Sequence, residues 1–138
     1  MNLKENSLFL RKFAFGMLVV LLGEFLFGIY TTLYVHFPEN ASTKELWKFS
    51  SQDLYLNIHM ILGVLITIGA IIFFIRVITK KQNNWLLSSV IALLGIVIAT
   101  IGGIQFVPTQ LDIYSIIMSV GFTIALGGYL WGIYTNSN

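Results

Sequence analysis

The chain contains four uninterrupted apolar stretches, each long enough to cross a lipid bilayer as a helix. They occupy approximately residues 13–35, 54–75, 85–106 and 113–134. A bilayer core about 30 Å thick requires roughly 20 apolar residues at about 1.5 Å of rise per residue. Lipid offers no hydrogen-bond partner to an exposed backbone, and the stretches lack strand-type alternation, so each is predicted to be α-helical. We therefore predict an all-α, polytopic membrane protein with one domain over residues 1–138.

Composition supports this class and excludes several others. Hydrophobic residues make up 57% of the chain and charged residues 10%, whereas roughly a quarter of the residues in soluble domains are charged. The chain has no cysteine, which excludes thiolate catalysis, disulfides and cysteine-ligated metal centres. The net charge is only +2, and the basic residues form no continuous stripe, so no nucleic-acid partner is expected.

Basic residues are distributed unequally between the two sides of the predicted spans. Six of the eight lie before the first span or between the second and third, namely Lys4, Arg11, Lys12, Arg76, Lys80 and Lys81. The positive-inside rule makes that side cytoplasmic. Short turns join spans two to four, so these neighbours should run antiparallel. The expected topology is a four-transmembrane-helix up-down bundle in the cell (plasma) membrane, with both termini in the cytoplasm.

The loop between the first two spans, residues 36–53, is the only long connection. Within it, Ser42 and Glu45 have the spacing of a helix capping box, and apolar Leu46, Trp47 and Phe49 follow. This pattern predicts a short helix lying on the outer membrane surface.

The third and fourth spans each carry a stripe of mostly small side chains at helical spacing. The stripes contain Ser88, Ala92, Gly95, Ala99, Gly102 and Phe106, and Met118, Gly121, Ala125, Gly128 and Gly132. Small residues let helix backbones approach closely in lipid. We expect the stripes to face each other or the bundle centre. The alternative is a homodimer surface, because Gly128 and Gly132 have the spacing of a dimerisation motif.

Glu24 is the only formally charged residue inside any predicted span. An ionised carboxylate near the middle of a bilayer costs at least a few kcal/mol. One interpretation is a proton or cation site. The other is a neutral acid hydrogen-bonded inside the bundle beside Gly28, Thr31 and Thr32, where it would hold helix 1 against a neighbour.

His59 lies in the outer half of the second span. Counting residues across the turns places it level with three polar residues of spans three and four, Gln105, Tyr114 and Ser115. This polar cluster is either a hydrogen-bond network or the surroundings of a haem ligand or proton relay. Met118, one turn from Ser115, lies on the inward stripe. No His-Glu-x-x-His motif or carboxylate pair occurs, so no metal site is predicted.

Three short segments resemble known membrane proteins. The run GEFLFG at residues 23–28, His59 and the run SIIM at residues 115–118 resemble small four-helix membrane proteins of prokaryotes. The run HMILG at residues 59–63 is similar to His-x-x-x-Gly stretches on haem-bearing helices of b-type cytochromes and haem A synthases. That similarity implies haem b on His59, with Met118 as a second ligand. Glu24 is similarly placed to the essential helix 1 carboxylate of small multidrug resistance transporters.

These observations support three hypotheses of function. The leading one is a non-catalytic membrane bundle, free-standing, homodimeric or an accessory subunit of a larger membrane assembly, because no catalytic constellation is evident. The second is a b-type haem redox protein that uses His59. The third is a small proton-coupled transporter that uses Glu24. An enzyme is not the leading class.

Overall fold

The computed structural model describes residues 3–136, with side chains from residue 5 onward, and this part of the chain is all-helical. Its five helices are α1 (Leu3–Tyr34), α2 (Thr43–Gln52), α3 (Leu54–Thr79), α4 (Asn83–Thr109) and α5 (Asp112–Thr135). Four of them, α1, α3, α4 and α5, are long and apolar enough to cross a membrane. The prediction of an all-α chain with four such helices is confirmed.

The helices extend beyond the apolar stretches that predicted them. The first stretch was placed at residues 13–35, whereas α1 begins at Leu3 and includes Arg11 and Lys12. Charged residues mark the limit of an apolar stretch but do not end the helix, because Arg and Lys are good helix formers. Helix α4 also extends beyond its predicted end at residue 106. It continues through Pro108 and ends where Gln110 adopts a left-handed conformation, with φ of 55°.

The four long helices form a ring in which each has two neighbours. Helix α1 packs against α3 and α5, and α4 packs against the same two helices. Contacts between α1 and α3 run antiparallel, because Gly28 meets His59 whereas the earlier Met17 meets the later Gly69. At one end of the ring the Arg76 guanidinium lies 3.9 Å from the Phe9 ring centroid. We call this the basic end, and the opposite end, where α2 lies, the α2 end.

Helices α4 and α5 approach most closely, and their small residues make this possible. A Cβ atom on Gly128 would lie 2.6 Å from the backbone nitrogen of Ala92, and one on Gly102 would lie 2.9 Å from that of Met118. Gly132 likewise packs against Ser88. The two stripes therefore face each other within one chain, as the first of the two interpretations predicted.

One aromatic side chain from each long helix meets near the basic end. Phe73 of α3 lies 5.7 Å from Phe13 of α1, 5.9 Å from Trp85 of α4 and 5.5 Å from Tyr129 of α5, measured between ring centroids. Phe73, Trp85 and Tyr129 are almost completely buried. We call these four residues the aromatic plug, because together they fill the centre of the bundle at this level.

Helix α2 begins with the capping box that the sequence predicted. The Ser42 hydroxyl and backbone N–H donate hydrogen bonds of 2.7 and 2.8 Å to Glu45 Oε2, and the Glu45 N–H donates to Ser42 Oγ. The bond from the Ser42 hydroxyl, then that from its backbone N–H, lowers the pKa of the Glu45 carboxyl. The helix packs against α3 and α4 and buries Leu46 and Ser50.

Candidate functional site

Glu24 and His59 meet at the interface between α1 and α3. The distance from Glu24 Oε1 to His59 Nδ1 is 2.9 Å. This is an ion-pair distance, although the approach lies outside the angles of a hydrogen bond, since Nδ1 has no such partner among the described residues. The side chains are only 13% and 25% exposed, respectively. The sequence identified both residues separately, and the structure joins them.

Glycine on the facing helix makes room for each of these side chains. Gly28 follows Glu24 by four residues, and Gly63 follows His59 by four, so each glycine lies on the same helix face as its polar residue. Because α1 and α3 are antiparallel, the pairs interlock. A Cβ on Gly28 would lie 3.3 Å from His59 Cε1, and one on Gly63 would lie 3.5 Å from Glu24 Oε1. This repeated polar-x-x-x-Gly pattern was the signal that could have predicted the pair.

Nearby hydroxyl groups bind their own helices instead of Glu24. Thr31 and Thr32 both donate to the Gly28 carbonyl, each at 2.9 Å. The predicted hydrogen bonding of Glu24 beside these threonines is therefore corrected: helix carbonyls compete successfully for threonine hydroxyls. Glu24 Oε2 is buried and has no hydrogen-bond partner in the part of the chain that the structure describes.

A second polar contact lies one turn from Gly63 toward the basic end. The Thr67 hydroxyl donates to the Gly63 carbonyl at 2.9 Å and lies 3.2 Å from the Thr100 hydroxyl of α4. Thr100 in turn donates to the Ile96 carbonyl. The contact between the two hydroxyls connects α3 to α4 without contributing a charge to the bundle.

The other residues predicted to surround His59 lie elsewhere. Gln105 is exposed on α4, and Tyr114 and Ser115 are half-buried on α5. Over residues 3–136, no hydrogen bond joins any of them to His59, whose Nδ1 approaches Glu24 instead. Counting residues gave their height in the bundle but not their direction around each helix axis. The α3 and α5 backbones are not adjacent, although Phe73 and Tyr129 meet in the bundle centre.

The arrangement does not fit a haem on His59 with Met118 as second ligand. Met118 packs into the α4–α5 contact, where its Cγ lies 2.9 Å from the position of a Cβ on Gly102. The His59 ring edge that carries both nitrogens faces α1, with Nδ1 beside Glu24 and Nε2 4.0 Å from a Cβ on Gly28. A haem iron at His59 would have to occupy space held by these α1 residues. Among residues 3–136, no cluster of three His, Cys, Asp or Glu residues could hold a metal ion.

Comparison of the chain with known protein families, with curated proteins and with solved structures found no match. What the site can do therefore follows from its geometry. A carboxyl and an imidazole are both groups that can bind and release a proton, and here they lie in contact between two apolar helices. The pair can thus take up and release a proton within a span that offers few other polar groups.

Proposed function

We propose that this chain is a multi-pass protein of the plasma membrane whose Glu24–His59 pair binds and releases a proton during proton-coupled transport. The observation that carries the proposal is the 2.9 Å contact between two titratable side chains inside apolar helices. Ionisable residues within membrane spans are costly and usually serve ion or proton pathways. The small multidrug resistance transporters, with their helix 1 carboxylate, are the functional analogy.

The distribution of charge supports cytoplasmic termini. Arg11 and Lys12 of α1, and Arg76, Lys80 and Lys81 near the end of α3, belong to the basic end of the bundle. Positive charge near span ends is retained on the cytoplasmic side. The α2 end then faces outward, and both termini lie inside.

The pair can change its charge by one proton at a time. With one proton between them, an ionised Glu24 and a cationic His59 have no net charge, and each offsets the cost of burying the other. A second proton, bound at the carboxylate, leaves a neutral acid beside an imidazolium. Release of this second proton restores the neutral pair. Each binding or release step therefore changes the charge of the pair by one unit, and each full cycle carries one proton.

Proton flux in proteoliposomes tests the proposal. Glu24→Gln preserves size and hydrogen bonding but removes titration, and it should abolish proton flux driven by a cation or amine gradient. Glu45→Gln is the matched control, since Glu45 lies on α2 outside the spans, and it should transport as the wild type does. The proposal fails if the wild type moves no protons across a broad substrate screen, or if Glu24→Gln remains fully active.

The second candidate is a non-catalytic bundle or accessory subunit in which the pair serves only to hold α1 against α3. The close glycine contacts at Gly28 and Gly63 favour it, because they are also what a purely structural contact would need. In that case Glu24→Gln would be tolerated, whereas Glu24→Leu would leave His59 without its partner and destabilise the bundle by about 1–3 kcal/mol. Mass determination of the native complex in mild detergent would identify a stable partner or a second copy.

A further inference from the structure

We infer that in this conformation the Glu24–His59 pair exchanges its proton with the α2 side of the membrane, and that the aromatic plug and the apolar residues between it and the pair close the basic side. This inference rests on the proposed function, because it names the route of the same proton. It follows from the different chemistry of the α1–α3 interface on the two sides of the pair.

On the α2 side, the interface is polar and aromatic. Thr31 lies seven residues beyond Glu24, on the same face of α1, and is buried with its hydroxyl bonded to the Gly28 carbonyl. Tyr30 of α1, adjacent to Thr31, and Tyr55 of α3, one turn before His59, meet across this interface with ring centroids 4.6 Å apart. Both tyrosines are partly exposed. The two tyrosine hydroxyls therefore lie on the α2 side of His59, the more exposed member of the pair, whereas the Thr31 hydroxyl is committed to its own helix.

On the basic side, the same interface is apolar. Met17 lies seven residues before Glu24, again on the same face of α1, and its Sδ lies 2.9 Å from the position of a Cβ on Gly69. Leu21 and Leu18 of α1 and Ile66 of α3 are buried around it. The aromatic plug follows toward the basic end. A proton leaving in this direction would cross several layers of apolar side chains with no solvated path.

Thr67 and Thr100 are the polar side chains on the basic side of the pair that come closest to forming a route. Their hydroxyls lie 3.2 Å apart, but each donates its proton to a carbonyl of its own helix. Both groups are therefore committed to backbone hydrogen bonds, and the apolar core lies between them and the basic end.

The charged and titratable residues of α2 and of the loop before it are His36, Glu39, Lys44, Glu45 and Lys48. Helix α4 contains no charged residue, and Asp112 at the first position of α5 is the only one in that helix. The remaining titratable groups at the α2 end of α1, α3 and α5 are Tyr30, Tyr34, Asp53, Tyr55 and Tyr114.

The absence of cysteine from the sequence allows a direct test of access with single cysteine variants. Thr31→Cys and Met17→Cys place a thiol about 10 Å to either side of Glu24 on the same helix face, at about 1.5 Å per residue. Both positions are 7% exposed, so simple burial does not distinguish them. A thiol reacts with a membrane-impermeant reagent only where water allows the thiolate to form.

Each variant would be placed in vesicles of uniform orientation and treated with the reagent from one side at a time. Thr43→Cys, exposed on α2, reports the orientation. We expect labelling of Thr31→Cys from the α2 side, loss of that labelling when the reagent is on the basic side, and no labelling of Met17→Cys from either side. Ala14→Cys, at a fully buried position of α1 nearer the basic end, tests access from that side without removing side-chain volume.

An unlabelled Thr31→Cys, or labelling of Met17→Cys or Ala14→Cys from the basic side, would overturn the inference. The labelling does not depend on transport, so its failure is distinguishable from failure of the proposed function. An active wild type with the opposite labelling pattern would keep the transporter and reverse its route. The expected labelling with a fully active Glu24→Gln would keep the access route but remove the assigned role of Glu24.

Discussion

Glycine at position 28 controls how closely the His59 ring can approach α1. The ring carbon Cε1 already lies 3.3 Å from where a side-chain carbon would begin, which is tighter than ordinary van der Waals contact. Any larger residue at this position must move the imidazole, and moving it changes the contact between His59 and Glu24. Gly23, adjacent to Glu24, has no neighbour within 4 Å of its own Cβ position.

We therefore predict that Gly28→Ala weakens the coupling between Glu24 and His59, whereas Gly23→Ala does not. The measurement is a double-mutant cycle with Glu24→Gln and His59→Gln, read as free energies of unfolding in detergent. Contacting residues typically show coupling of about 0.5–3 kcal/mol. The coupling should fall in the Gly28→Ala background and stay at its wild-type value in the Gly23→Ala background. Equal effects of the two alanines would refute the glycine contact as its cause.

At the scale of helices, close packing of α4 on α5 is the main contact between elements. Without a hydrophobic driving force in lipid, association of helices depends on van der Waals contact and therefore on small residues. Two successive glycines of α5 differ sharply in this respect. Gly128 faces the α4 backbone, whereas a Cβ on Gly127 would meet nothing within 4 Å.

This difference predicts opposite results for two neighbouring substitutions. Gly128→Ala would place a methyl group 2.6 Å from the Ala92 nitrogen, and overpacking of this kind costs about 1–3 kcal/mol. Gly127→Ala should be neutral or stabilising by up to about 1 kcal/mol, since alanine is the better helix former. Denaturant unfolding followed by circular dichroism would measure both. A loss of stability shared by the two variants would argue against packing as the reason.

At the scale of the whole molecule, the bundle has chemically different ends. The capped amphipathic helix α2 covers part of one end, against α3 and α4, and basic residues of α1 and α3 lie at the other. Such an asymmetry sets the orientation in a membrane, because basic segments resist translocation.

We expect the α2 end to be extracellular in intact cells. In the cysteine-free chain, Thr43→Cys on α2 should react with an impermeant thiol reagent added outside. Asn83→Cys, at the start of α4, and Thr135→Cys, at the end of α5, should react only after the membrane is opened. All three positions are exposed, so differences in reactivity report sidedness. Labelling of Asn83→Cys in intact cells would show that the orientation is reversed.

Hydropathy along the chain was sufficient to predict the all-α class and the four long helices. A span is a local property, because about 20 consecutive apolar residues decide it without reference to the rest of the molecule. The α2 cap was equally local, since Ser42 and Glu45 are three residues apart. The pattern of small residues also predicted correctly that α4 and α5 meet through Gly121 and Gly128.

Only the tertiary structure decided which polar side chains come together. Residue counting placed His59 level with Gln105, Tyr114 and Ser115, but the direction in which each points depends on the rotation of its helix and on which helices are neighbours. Those properties are set by contacts between residues far apart in the sequence, such as Gly28 with His59 and Gly63 with Glu24. The pairing of Glu24 with His59 is therefore a consequence of how α1 and α3 pack, whereas the presence of each residue in an apolar helix was already evident from the sequence.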